Sequence, residues 1–142
     1  MRANALGLVQ VYTLADVNGG TYTPGISAGN ISVTTNFCIL QVTLLGPFTI
    51  RFTSANANGT AFRARSAAGN YLPYSVTFYT QANAAGTPYA LSSGVASQSF
   101  STILTLGVCV QNSFQTVFTS TNLSSAKAGT YTDTLTILVT AI

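Results

Sequence analysis

The chain has no histidine and no tryptophan, and Asp16 and Asp133 are its only acidic residues. Each gap removes a class of chemistry. Without imidazole a serine or cysteine nucleophile lacks its usual base, and a metal site lacks its commonest ligand. Calcium loops need several anionic oxygens, more than two scattered carboxylates supply. A carboxylate pair for acid–base catalysis would need both aspartates and leave nothing spare. A Ser–Lys dyad would have to draw on Lys127, the chain's one lysine, in the polar turn Ser124-Ser125-Ala126-Lys127-Ala128-Gly129. No enzyme and no cofactor is expected.

Charge is scarce as well. Charged residues make up 5% of the chain, against roughly 25% in ordinary soluble domains. The cations are Arg2, Arg51, Arg63, Arg65 and Lys127, giving a net charge of +3. They form no run, so a nucleic-acid-binding face is disfavoured. Arg63 and Arg65 share a face if they lie on a strand, which would suit a small anion site; a solvated strand edge is the plainer reading. Apolar residues reach 47%, yet no run approaches the ~20 needed to span a bilayer as a helix. Gln10 interrupts the apolar start and no cleavage pattern follows, so the sequence reads as a mature form without a secretory leader. Cys38 and Cys109 are the only cysteines. In a hydroxyl- and amide-rich chain, such a pair predicts one disulfide formed in an oxidising compartment, with two buried thiols as the alternative.

What is present is recurrent strand patterning, broken by Gly, Asn and Pro. The segments are Leu6 to Leu14, Ile31 to Phe37, Phe48 to Phe52, Phe62 to Arg65, Tyr74 to Phe78, Phe100 to Val110, Phe114 to Phe118 and Tyr131 to Ala141. Asn18-Gly19-Gly20, Asn56-Ala57-Asn58-Gly59 and Gly69-Asn70 read as turns, and Gln81 to Ser97 as irregular. Helical periodicity is nearly absent. The pattern predicts a single domain over residues 1–142, an all-β, Ig-like antiparallel sandwich. In the last strand Leu135, Ile137 and Val139 point to the core, with Tyr131 leading in, while Leu138 puts an apolar residue on the other side too. Such a strand must be covered by this chain or by another. Tyr71, Tyr79 and Tyr89 are candidates for a surface that binds sugar or peptide, the alternative being that they rim a core containing Tyr74. Asn30-Ile31-Ser32, Asn58-Gly59-Thr60 and Asn122-Leu123-Ser124 match the glycosylation triplet, a pattern common by chance in such a composition.

Three stretches resemble the spore coat protein U domain family, which includes pilus subunits of the archaic chaperone–usher pathway. They are Gly20-Thr21-Tyr22-Thr23-Pro24 with Gly29-Asn30-Ile31-Ser32-Val33-Thr34; Arg63, Arg65 and Leu72-Pro73-Tyr74-Ser75-Val76-Thr77-Phe78-Tyr79-Thr80; and Ala128-Gly129-Thr130-Tyr131-Thr132-Asp133-Thr134-Leu135-Thr136. The chain departs from the family in lacking a first-strand cysteine and a Trp-Gly stretch. The resemblance implies an incomplete sandwich, filled first by a periplasmic chaperone strand and then by a donor strand from another subunit. Residues 1–14 are then either a donor strand, through Leu6, Leu8, Val9, Val11, Tyr12 and Leu14, or the domain's own first strand. The implied groove runs beside Tyr131, Leu135, Ile137 and Val139.

The function so implied is that of a structural subunit of an extracellular fibre, serving adhesion or biofilm formation. Its implied partners are identical or related subunits, a periplasmic chaperone and an outer-membrane usher, and its route to the surface runs through the periplasm. A carbohydrate-binding or tip-adhesin domain, or a spore or cell coat protein of the same fold, is the alternative.

Overall fold

The computed structural model describes residues 2–6, 9–12, 14, 16–24, 27, 29–41, 47–101 and 108–142. Ten strands run in order: β1 (Arg2–Leu6), β2 (Val9–Tyr12), β3 (Ile31–Gln41), β4 (Phe48–Ser54), β5 (Phe62–Ser66), β6 (Tyr71–Tyr79), β7 (Tyr89–Ala90), β8 (Val110–Phe118), β9 (Tyr131–Thr132) and β10 (Leu135–Ala141). The α-helix among these residues, α1 (Ser120–Ser125), is short, with the Thr119 hydroxyl accepting from the Asn122 N–H as its N-cap. The strand-forming pattern therefore yields the all-β fold it predicts.

The strands form two sheets. The smaller has the order β1-β10-β4; the larger has β2-β3-β8-β6-β5-β9, with β7 joined to the upper part of β6. Period-2 alternation sets which side chains go between them. Phe48, Ile50 and Phe52 from β4 and Ile137 and Val139 from β10 meet Phe37, Val76, Phe78 and Phe114 from the larger sheet, and all are fully buried. Aromatic rings bridge the layers: Phe52 meets Phe114 edge-on with centroids 5.0 Å apart, and Phe78 lies 5.2 Å from Phe100. Contacts of this kind add about 1 kcal/mol each to simple burial.

Cys38, buried in β3, is bonded to Cys109, just before β8, across 71 residues and with Cα atoms 5.3 Å apart. Closing a loop of that length stabilises the fold by about 4 kcal/mol in the chain-entropy account. The predicted disulfide is thus present, and it joins neighbouring strands of one sheet, since Cys38 registers with Gln111.

Three expectations need correction. The stretch Leu6 to Leu14 is not one strand: β1 pairs with β10 in the small sheet, while β2 pairs with β3 in the large one. Tyr131 to Ala141 is also divided. β9 pairs with β5, then the chain crosses at Asp133 and Thr134 to pair with β4. Asn18-Gly19-Gly20, read as a turn, lies in an irregular connection to β3 in which the Gly20 N–H donates to the Asn18 side chain at 2.9 Å. Finally, Arg65 does not lie on a free edge, because β9 pairs with Arg65 and Ser66 on the side of β5 away from β6; Arg63 lies beyond those two pairs. The expected strand from Phe100 to Val110 begins with a lone bridge from Phe100 to Phe48, and Val110 opens β8. Leu104 and Leu106, like Leu8 of the expected donor set, lie outside the described residues.

Candidate functional site

β10 is the strand beside which the sequence reading placed its groove. Leu135, Ile137 and Val139 are buried, whereas Thr136, Leu138 and Thr140 are half-buried, so both faces are partly covered. On one flank β10 pairs antiparallel with β4 through seven register pairs, from Leu135↔Ser54 to Ala141↔Phe48. On the other it pairs with β1 through five, from Arg2↔Thr136 to Leu6↔Thr140. The β1 pairing is parallel, unlike every other strand pairing among the described residues. The sequence-named donor residues thus lie in two places: Leu6 on β1 beside β10, and Val9, Val11 and Tyr12 on β2 beside β3, with Leu14 just after it; Val11 and Leu14 pack against the core. Tyr131, half-buried on β9, packs at the core margin, and its hydroxyl donates to the Lys127 carbonyl at 2.7 Å.

The far edge of β4 is closed differently. The irregular stretch from Leu91 to Phe100 lies along it as a strap. Its Ser97 and Gly94 N–H groups donate to the Ile50 and Phe52 carbonyls, each at 2.8 Å. In return the Ile50 and Ser54 N–H groups donate to the hydroxyls of Ser97 and Ser93, each at 2.9 Å. Phe48 and Phe100 exchange backbone bonds at the end. Side-chain oxygens replace the carbonyls of a missing strand, so the edge is occupied without a strand. Sequence reading gave this segment no role, and serines in an irregular stretch carry no local signal for one.

A second missed feature sits where β9 hands over to β10. The Asp133 carboxylate accepts from the Ser54 hydroxyl at 2.5 Å and the Tyr74 hydroxyl at 2.6 Å through one oxygen. The other oxygen accepts from the Asn56 side-chain amide and the Thr134 N–H, both at 2.9 Å, and from the Asn56 N–H at 3.2 Å. This clasp ties β10 to β4 and β6 at the point where the chain changes sheet. Burial, reinforced by the adjacent Asp133 carboxylate, pushes the Tyr74 hydroxyl well above the ordinary tyrosine range. The signal that could have found it is Asp133 itself, one of two acids in the whole chain.

The three surface tyrosines do not converge. Tyr71 and Tyr79 stand at opposite ends of β6, about 27 Å apart at the usual strand rise. Tyr89 is half-buried on β7 with its ring edge-on to Phe100 at 4.8 Å. It lines an open cleft of about 230 Å³ with Pro88, Leu91, Ser97 and Gln98. Tyr71 instead stands 43% exposed, with the Arg63 guanidinium 3.7 Å from its ring centroid and that of Arg65 at 6.0 Å. No group of three or more potential metal ligands exists among the described residues, and no helix among them is long and apolar enough to cross a membrane.

Comparison with solved structures yields similarity of fold. Over 94% of its length the chain matches a structure reported as "Chaperone-tip adhesin complex is vital for synergistic activation of CFA/I fimbriae biogenesis", with a TM-score of 0.69 and 18% identity. It also matches the crystal structure of CfaE, the adhesive subunit of CFA/I fimbria of enterotoxigenic Escherichia coli, over 99% of its length, with a TM-score of 0.52 and 13% identity. The chain spans 42% and 45% of those two chains. No family model and no curated protein matches the sequence. The sandwich is therefore of the kind found in fimbrial subunits.

Proposed function

We propose that the chain is a structural subunit of an extracellular surface fibre, serving adhesion or biofilm formation, and assembled by addition of a strand from a related subunit. The observation that carries the reading is the seam between β1 and β10. Here a five-residue parallel strand pairs along a core strand's second flank, while the opposite edge of that sheet is strapped shut. Parallel pairing is slightly weaker per residue than antiparallel pairing, so β1 is the cover most easily replaced. A donor strand from a neighbour would take its place, its main chain completing the ladder and its side chains selecting the partner. A periplasmic chaperone would hold the same position before assembly, and an outer-membrane usher would pass the subunit to the surface. The likeness to fimbrial adhesive subunits supports this, as does the sparse charge, since charge buried between subunits would have to be desolvated.

A tip-adhesin role is the second reading, favoured by the two arginines beside the exposed Tyr71. Deletion of residues 2–8 tests the first. Electron microscopy of the purified full chain should show filaments, and the deleted chain should fail to supply donor strands while still accepting one from an added intact subunit. Assembly and stability unchanged by the deletion would reject the N-terminal donor and leave the sandwich standing.

A further inference from the structure

We propose that Arg63, Arg65 and Tyr71 form a binding site for an acidic saccharide, a sugar ring bearing a carboxylate or a sulfate. The site lies on the outward face of the larger sheet. Arg65 registers directly with Tyr71, and Arg63 with Pro73, so both guanidinium groups come within 6.0 Å of one ring centroid.

Three observations carry it. Arg63 is held in place before any ligand arrives: its Nε donates to the Asn56 carbonyl at 2.9 Å and an Nη reaches the Ala57 carbonyl at 3.5 Å. A guanidinium has five N–H donors, so three of them remain to be used. Arg65 is exposed, and no hydrogen bond or ion pair engages its guanidinium among the described residues. Gly69, in the left-handed region at φ +83°, leaves Arg65 as the sole neighbour that a side chain there would meet. The Asp133 carboxylate accepts from Ser54, Tyr74, Asn56 and Thr134 and from neither arginine.

The chemistry selects the ligand. Guanidinium forks match carboxylate or sulfate oxygens in pairs. Arg63 covers one face of the Tyr71 ring, and the part of the ring left exposed offers an apolar surface on which the C–H face of a pyranose can rest, with a polar tip beside it. Two arginines are too few for a membrane surface, where recognition runs to clusters of about 4–8 cations, and too few for a nucleic-acid groove.

The site does not depend on fibre assembly, so its test is separate. Binding of an oligogalacturonate, a heparin-derived tetrasaccharide and neutral maltotetraose to the full chain would be measured by calorimetry at about 50 and about 300 mM salt, a range over which screening grows strongly. At least one acidic saccharide should bind, more weakly at high salt, while maltotetraose does not. Which one binds tells carboxylate from sulfate. R65Q removes a side chain that makes no hydrogen bond within the fold and should weaken binding about tenfold; Y71A should weaken it too. R51Q removes the same charge from the other sheet and should leave binding unchanged. The proposal is overturned if no acidic saccharide binds, if maltotetraose binds as well, if R51Q weakens binding as much as R65Q, or if anionic phospholipid vesicles bind while the saccharides do not.

Discussion

Along one flank of β10, seven antiparallel pairs join it to β4, and β4 in turn has its outer N–H and C=O groups taken up by Ser93, Gly94, Ser97 and Phe100. Along the other, five parallel pairs join it to β1. The first flank is continuous with the aromatic core through Phe48, Ile50 and Phe52, each buried to within 1%. The second consists of one short strand, with the large-sheet pairing of β2 resuming only at Val9. Under the proposed strand addition, one sheet combines a permanent side and an exchangeable one. Main-chain groups that are already satisfied offer nothing to an incoming strand. Hydroxyls from a strap therefore do for β4 what an extra strand would otherwise do, and the proposed pairing falls to the β1 side.

The comparison can be broken most sharply at Phe52. Its ring meets Phe114 across the sandwich. Phe52→Ala should cost about 4 kcal/mol, read as a lower urea midpoint, and removing residues 2–6 should cost less than this. Equal losses would mean that the two flanks are not distinct in strength. Next in size is Asp133→Asn. The amide keeps one acceptor oxygen but loses the charge that strengthens bonds from Ser54, Tyr74 and Asn56. A loss of about 2 kcal/mol is expected in the same titration. An unchanged midpoint would show that β10 is held by its ladder alone.

Much of this division was legible in the residues and part was not. The alternation of Phe48-Thr49-Ile50-Arg51-Phe52 and of Leu135, Ile137 and Val139 marks β4 and the core face of β10 directly, because a half-covered strand writes its burial into every second position. Cys38 and Cys109 were legible as a pair because composition pointed to an oxidising route. What pattern cannot supply is the partner of each strand. Nothing local distinguishes a continuous strand from one that changes sheets at Asp133, and the switch between Leu6 and Val9 is equally silent. Pro73 brings no N–H to the ladder, yet β6 reaches back through it to Tyr71. It is tolerated because it precedes Ser75, the first β6 residue paired with β8. Arg63 and Arg65 showed a shared face in their spacing, but Tyr71 between them depends on the β5–β6 register.

A smaller effect separates the clasp from the ladder by pH. Tyr74 has its proton affinity raised in the folded chain by burial and by Asp133. The unfolded tyrosine ionises near its ordinary value of about 10. Below that value both states hold the proton, and the contribution is fully present. Above it, the unfolded chain releases a proton that the folded chain keeps, so stability falls by about 1.4 kcal/mol per pH unit toward the raised folded value. Stability measured from pH 9 upward should show this alkaline decline, and Tyr74→Phe should remove it while leaving the contributions of other tyrosines. A decline of equal slope in Tyr74→Phe would place its origin elsewhere.

The smallest effect concerns the strap and bears most directly on the closed edge. Ser97 offers its hydroxyl to the Ile50 N–H and in turn donates to the Gln98 carbonyl at 2.8 Å. Ser97→Ala removes the acceptor and leaves the Ile50 N–H unmatched at a half-buried edge, at a cost of about 1 kcal/mol. The backbone bond from the Ser97 N–H to the Ile50 carbonyl is untouched by the change, so the strap should stay in place and the fold should persist. Pairing behaviour is what should move. An N–H row freed on β4 by Ser97→Ala together with Ser93→Ala is a second site for strand addition, and light scattering should then show side-to-side oligomers that the parent chain does not form. If the double variant loses about 2 kcal/mol and still forms no new oligomers, the strap serves stability alone, and the direction of strand addition must be set by β1.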